Sequence, residues 1–514
     1  MIQRFRVNLR LLLKILTFLL FFIIAILPVF CIFLSNFSFE LFSVFDERLS
    51  SIFLRTLILC LGTVALSLII GIPFAFLLEY TDLPFRSFFK IAYLLPLLIP
   101  PYISTIAWLE FLGKRGDLIS LDLPIYVYNL PSVIVILAFS FFPLVTLITS
   151  FALRNIDSRL EDAARLLYPQ REVIRKITLP LIMPHIIISS IFVFVFSISE
   201  LGVPALLMVN TFTPEIFAQF SAFFDTPRAI ALSLPLVALI FIIILLNHLY
   251  LGRKSFVTIS SFSRKGKSIK LSKTYKLIAL AFTSIILILS VLIPISILLL
   301  ESRLQFLIAF YEAFEPIINT LQFAILGATL MTFLGFFLAY FYRSSFDPII
   351  LLPIAIPSMM MGIGIINFFN TDMTSLIYNS FPIIIIGYMA RFLPFVTKTL
   401  SPFFEQIHPS IEESALLSGS SFPRILHRIL LPLMKPGIIS SWVVGFVLSI
   451  RELSTTLLVS PAGLQTLPVR IYTLMHYGAP EMVSSLSLIL IFLIITPLIL
   501  LLTVRRLILK LVIT

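Results

Sequence analysis

Runs of about 20 apolar residues, each long enough to cross a hydrocarbon core of about 30 Å, recur along the whole of this chain. Inside a bilayer every backbone N–H and C=O must find an internal partner, so only helices and closed barrels can span it. The runs here are continuous rather than alternating in hydrophobicity, which selects helices. In the first half they cover about 11–33, 52–79, 88–111, 131–153, 182–205 and 229–251. In the second they cover about 277–300, 316–342, 349–369, 381–400, 434–459 and 484–504. The expected fold class is all-α: a polytopic membrane protein of twelve transmembrane helices. With 59% hydrophobic and only 12% charged residues, the chain has too little polar surface for a soluble fold. The run at 11–33 is too long for a signal-peptide core and lacks an Ala-x-Ala-like exit, so it reads as a retained helix.

Charge sets the orientation. The net charge of +12 is carried by two stretches without an acid: Arg4, Arg6, Arg10 and Lys14, and then eight Lys and Arg residues within 253–276. Both abut apolar runs, the positive-inside signature of cytoplasmic segments, and a nucleic-acid-binding tail is the weaker explanation. The stretch 253–276 is Ser- and Lys-rich and reads as a flexible cytoplasmic linker. Glu40, Asp46 and Glu47 mark the first outer loop, and Asp117 and Asp122 lie beside Lys114 and Arg115 in the next. Segment 206–228 is amphipathic and also falls outside. With an even number of spans, both termini are expected in the cytoplasm. Cys31 and Cys60 fall within apolar runs, so no disulfide framework is expected.

The halves repeat in parallel. Thr56 precedes Gly71 by 15 positions and Thr320 precedes Gly335 by the same number, with Ala75 and Ala339 four residues further on. Gly and Ala four apart present a small face that admits close backbone approach in lipid. The third run of each half carries prolines four apart, Pro96 with Pro100 and Pro353 with Pro357, which break and kink a membrane helix. Parallel halves point to a translocation path on the axis between them.

A charged loop also occurs twice, as LEDAARLLYPQREVIRKITLPLIMP from Leu160 to Pro184 and IEESALLSGSSFPRILHRILLPLMKP from Ile411 to Pro436. Glu161 lies 19 positions before Pro180, and Glu412 lies 20 before Pro432. Leu160, Ala163, Ala164 and Leu167 share one helical face, Gly419 permits a sharp turn, and Pro180 and Pro432 are read as first-turn prolines of the next spans. Each loop is thus expected to hold a short helix lying along the membrane on the cytoplasmic side. Two such helices, placed identically, suit a partner present twice.

These loops resemble the EAA loops of binding-protein-dependent ABC importer permeases, whose pattern runs Glu-Ala-Ala, three residues, Gly, and later Ile-x-Leu-Pro. In the first copy Glu161, Ala163, Ala164, Ile177, Leu179 and Pro180 match; in the second Glu412, Glu413, Ala415, Gly419, Ile429, Leu431 and Pro432 match. Tyr168 stands where the first copy should have Gly, and that copy is one residue shorter. The resemblance implies two fused type-1 transmembrane domains, 52–252 and 316–514, with 1–51 and 277–315 each adding a helix and outer loop, and 253–276 as linker. It further implies coupling helices seated on two copies of a separate cytoplasmic ATPase, and a periplasmic or lipoprotein solute-binding protein. The setting is the bacterial plasma membrane, in contact with lipid. No nucleic-acid partner, cofactor or enzyme activity is expected. Gly266-Lys267-Ser268 resembles the end of a phosphate loop, but Ser261 replaces its first Gly and no strand precedes it.

Glu200 and Glu452 each follow their loop's proline by 20 positions, and Arg391 is a further charge within a span. Ionisable residues at membrane depth cost several kcal/mol unless paired or wet, so the three are candidate path residues, with Arg391 able to pair with Glu452. The segments Glu200–Leu207 and Arg451–Pro480 are most similar to iron(III)-type permeases, with thiamine and aminoethylphosphonate permeases as alternatives on the same plan. The rival class is an ion-coupled secondary transporter, followed by a channel; neither requires twin loops ending in Leu-Pro.

Overall fold

The computed structural model describes residues 2–30, 46–112, 127–252, 269–342 and 347–513. Cys31, Glu40, Lys114, Arg115, Asp117, Asp122, most of the 253–276 linker and its Gly266-Lys267-Ser268 lie outside them. The described residues are helical, apart from loops and one isolated parallel bridge between Thr81 and Ile269.

The membrane-length helices of the first half are α1 (Arg10–Phe30), α2 (Glu47–Tyr80), the bent pair α3 (Arg86–Leu98 and Pro101–Leu112), α4 (Leu130–Arg154), α5 (Gln170–Ile198) and α6 (Thr226–Ile243). Those of the second are α7 (Lys273–Glu301), α8 (Phe314–Tyr342), the bent pair α9 (Ile349–Ala355 and Ser358–Phe369), α10 (Pro382–Glu405), α11 (Phe422–Ile450) and α12 (Pro480–Pro497). Among the described residues this makes ten helices long and apolar enough to span a membrane, or up to twelve with each bent pair as one. Several outrun the apolar windows because polar caps start them. Asp46 accepts from the Leu49 amide at 2.7 Å, and Asn129 accepts from that of Ser132 at 2.8 Å.

Prolines shape the spans in two ways. In α3 and α9 the chain turns by 88° and 107°, a break at right angles rather than a kink. Ile99 and Ile356, each preceding a proline, have left the helix with ψ near 121° and 122°. The ring of the following proline disfavours helical backbone there. The second way is accommodation. Each of the four π-helical turns among the described residues (Phe22–Ile26, Ile174–Thr178, Ile288–Leu292 and Leu426–Leu430) ends two residues before a proline. A widened turn relieves the clash between a proline ring and the preceding carbonyls. Pro180 and Pro432 therefore do not start their spans, as expected from position alone, but sit within helices begun at Gln170 and Phe422.

Two compact units result. One holds Ser43–Ala218 and Leu232–Leu304; the other holds Met1–Phe42, Gln219–Ala231 and Gln305–Thr514. Thus α7 lies with helices of the first repeat, and α1 with those of the second. In each unit the repeat extends to polar detail. Thr56 accepts the Phe212 amide at 3.0 Å, and Thr320 accepts the Leu467 amide at 2.7 Å, each at the start of a short helix in the following loop region.

At Gly71 α2 and α4 approach closely. A Cβ there would lie 2.7 Å from the Val145 Cβ and 2.9 Å from the Phe142 carbonyl oxygen, which cannot swing away. At Gly335 the nearest atom would be a threonine hydroxyl at 3.2 Å. Gly71→Ala is expected to cost about 1–3 kcal/mol through overpacking and Gly335→Ala less, read as loss of thermal stability of the detergent-purified protein. Equal stability of both variants and the parent would rule out the close approach.

Candidate functional site

Each repeated loop is built on a short helix, Ser158–Arg165 in the first and Pro409–Leu417 in the second. Asp157 and His408 cap them, their side chains accepting from the amides of Arg159 and Ser410. The buried side of each helix carries its glutamate. Glu161 and Glu412 are only 5% and 7% exposed, and Ala164 is buried as well. Leu160, Ala163 and Leu167 point outward instead, as do Glu413 and Gly419 in the second copy. Ala415, Ile177 and Ile429 are half-buried, while Pro180 and Pro432 lie on the helix surface.

A buried carboxylate needs donors. Glu161 Oε1 accepts from the Tyr80 hydroxyl at 2.6 Å and the Thr178 hydroxyl at 2.5 Å, with Arg165 4.0 Å from Oε2. Glu412 Oε2 accepts from the Tyr340 hydroxyl at 2.7 Å, and Arg10 lies 3.6 Å from it. The tyrosines come from the ends of α2 and α8, so each carboxylate ties its loop helix to a spanning helix. They are not at matching positions: Tyr80 follows Gly71 by nine residues and Tyr340 follows Gly335 by five, one helical turn apart. That offset hid them from a search for repeats. Thr178 has Leu430 as its counterpart, and the second loop draws on Arg10 instead.

The turns differ as well. Gly419 has φ +80°; its amide donates to the Leu416 carbonyl and the Ser420 amide to that of Ala415, a Schellman closure. A tyrosine in that left-handed conformation would be strained. In the first loop the Tyr168 amide returns to the Ala164 carbonyl, no residue adopts positive φ, and Pro169 opens the next helix one residue sooner.

The end of the linker reaches this region. The Ile269 amide donates to the Tyr80 carbonyl, Asp82 returns its amide to the Ile269 carbonyl, and Lys276 lies 2.7 Å from the Asp82 carboxylate. The Leu271 amide, and after it Lys276, hold the Asp82 carboxyl below its ordinary range.

Glu200 and Glu452 were expected within spans, but each stands just past a helix end, beyond Ile198 and Ile450. There each carboxylate accepts a backbone amide of the following short helix, Gly202 at 3.1 Å and Thr455 at 2.7 Å. Arg391 Nη1 lies 3.0 Å from Glu452 Oε1, and the Thr455 hydroxyl donates to the Ser358 carbonyl at 3.3 Å. The polar set therefore ties α10, the break after α11 and the bend of α9. Ser140 occupies the place of Arg391 in the first repeat, three residues before Pro143 as Arg391 is before Pro394. Among the described residues no three His, Cys, Asp or Glu side chains gather to hold a metal ion.

Comparison with known proteins follows the same repeat. The profile of the family described as "Binding-protein-dependent transport system inner membrane component" matches residues 67–256 and again 331–513. The chain is 26% identical over 442 residues to the Fe(3+)-transport system permease protein FbpB 2 of Haemophilus influenzae, covering 83% of this chain and 85% of that protein. It is 25% identical over 427 residues to the ferric transport system permease protein FbpB of Actinobacillus pleuropneumoniae, covering 76% and 61%. A shorter match, 27% over 184 residues, is to the spermidine/putrescine transport system permease protein PotC of Haemophilus influenzae, covering 34% of this chain and 70% of that protein.

Proposed function

The chain belongs to the family of binding-protein-dependent transport system inner membrane components, and from that premise we propose that it is the membrane-spanning permease of an ATP-driven importer for ferric iron, with the two repeated loops as its points of energy input. The substrate rests on the ferric permeases it resembles over most of its length. A permease of this family works with a separate ATPase and a binding protein and is not itself an enzyme. In this reading the domains run over 52–252 and 316–514, one ATPase subunit meets each loop, and loops, linker and both termini lie in the cytoplasm.

The observation that carries this reading is the pairing of an anchored base with a bare tip. Leu166, Leu167 and Leu417 are 87%, 79% and 89% exposed at the ends of helices whose glutamates are buried. Isolated leucines on a charged loop gain nothing in water, and a partner groove that covers them gains about 25 cal/mol per Å² of apolar surface. When the ATPase subunits close on ATP, the tips move with them. The Glu161–Tyr80 and Glu412–Tyr340 bonds pass that displacement to α2 and α8. Outward opening receives substrate from the binding protein, and hydrolysis resets the helices. Glu200, Glu452 and Arg391 are assigned to the translocation path, Arg391 offsetting the charge of Glu452.

Leu167→Glu and Leu417→Glu place a charge in each docking groove. Each alone is expected to weaken co-purification of the ATPase with tagged permease, and the double variant to abolish it together with uptake. Retention of ATPase and uptake by the double variant would refute the loops as coupling sites. Uptake driven by a proton or sodium gradient without ATP would establish the secondary-transporter alternative.

A further inference from the structure

The repeat extends to the first helix of each half, a match that the loop and glycine motifs do not reveal. Shifted by 266 positions, Arg10 falls on Lys276, Thr17 on Thr283 and Pro28 on Pro294. The π turns Phe22–Ile26 and Ile288–Leu292 coincide under the same shift. Thr17 and Thr283 both return their hydroxyls to the carbonyl four residues earlier, at 2.9 Å in each case. Helices α1 and α7 are therefore copies of one element, each carrying a basic residue at the same register near its start.

Both basic residues reach the seat of a loop helix. Within its unit, Arg10 donates to the Tyr340 hydroxyl at 2.7 Å, lies 3.6 Å from Glu412, and places its guanidinium 5.4 Å from the Tyr340 ring and 5.9 Å from that of Phe422. Tyr340 in turn donates to Glu412. The second loop helix and the start of α11 thus share one cation. Lys276, in the other unit, binds Asp82, two residues beyond the Tyr80 that donates to Glu161. The neighbouring Ile269–Tyr80 and Asp82–Ile269 backbone bonds fasten the same corner. The grip is direct at Glu412 and indirect at Glu161, which has Thr178 as its second donor.

We propose that Arg10 and Lys276 are equivalent positioning residues, through which the first helix of each half holds a coupling loop in register with the spanning helix it drives. The proposal rests on the reading of these loops as coupling sites, but its geometric part is separable. A loop helix bonded to one spanning helix can pivot about that bond. A second tether from α1 or α7 removes the pivot, so a push at the leucine tip moves the helices rather than rotating the loop. Arg10 has the larger share because its guanidinium serves a carboxylate, a hydroxyl and two rings at once.

Amide hydrogen exchange on the full-length permease in lipid nanodiscs, without ATPase, tests the tether alone. Arg10→Gln is expected to speed exchange across 409–421 by about tenfold while leaving 158–165 unchanged. Arg10→Lys should restore most of the protection. Lys276→Gln should speed exchange at 79–83 and, more weakly, at 158–165, leaving 409–421 alone. In the permease–ATPase complex, Arg10→Gln should retain bound ATPase but lose the stimulation of ATP hydrolysis by loaded binding protein. Unchanged exchange at 409–421, or an acceleration spread evenly over the protein, would overturn the tether. If Leu167→Glu and Leu417→Glu leave ATPase binding intact while Arg10→Gln still loosens 409–421, the coupling reading fails and the tether stands.

Discussion

Replacing Arg391 by methionine is expected to destabilise the protein by about 3 kcal/mol, the lower end for breaking a buried ion pair, because Glu452 would keep its charge and lose its cation. The loss should show as a drop in thermal stability in detergent, with the second unit affected first. The paired change Arg391→Met with Glu452→Gln should recover most of it, since the glutamine still accepts the Thr455 amide and carries no charge to compensate. The reasoning lies in the geometry of three elements rather than in the pair alone. Glu452 caps the short helix beyond α11, and Thr455 of that helix holds the Ser358 carbonyl at the 107° bend of α9. A bend that leaves carbonyls without helical partners needs such donors in a membrane. If Arg391→Met is as stable as the parent, the pair is wet enough that neither charge depends on the other, and it does not hold the bend of α9 in place.

The second large effect concerns the buried loop glutamates. Glu161→Ala strands the Tyr80 and Thr178 hydroxyls and frees the loop helix from α2, so uptake in proteoliposomes with ATPase and binding protein is expected to fall by more than about tenfold. Glu161→Gln keeps an acceptor oxygen for the hydroxyls and gives up only the 4.0 Å contact with Arg165, so it should lose little. At the second loop the order changes. Glu412 meets the Arg10 guanidinium as well as the Tyr340 hydroxyl, so Glu412→Gln gives up an ionic contact and should fall between the alanine variant and the parent. Uptake that responds equally to both glutamine variants would mean that the two seats work alike despite their different donors. Full uptake by both alanine variants would remove the glutamates from the coupling path.

Much of the architecture was legible in the chain because its causes are local. Apolar length decides which segments cross a membrane, and proline at fixed spacing decides where α3 and α9 break. Gly419 permits a Schellman turn that Tyr168 does not, so the one-residue difference between the loops already marked a difference in backbone. Local signals erred where they were stretched to tertiary meaning. Pro180 and Pro432 looked like first-turn residues, yet a π turn lets the helix begin ten residues earlier. Leu160, Ala163, Ala164 and Leu167 share one face of the first loop helix, yet of these only Ala164 is covered, together with Glu161.

By itself, then, the sequence determined the number of spans, their repetition, the paired loops and the family, all properties written within a few turns of helix or in the copying of one half from the other. Only the tertiary structure decided what holds the loops. Tyr80 and Glu161 are 81 residues apart, Tyr340 and Glu412 are 72, and Arg10 and Tyr340 are 330. The tyrosines sit one helical turn out of register between the repeats, and the basic residue that reaches Glu412 comes from α1, a helix of the first half of the sequence that lies with the second repeat. Hydrogen bonds are made by distance and angle in space, and no periodicity in the chain encodes which hydroxyl a buried carboxylate will find.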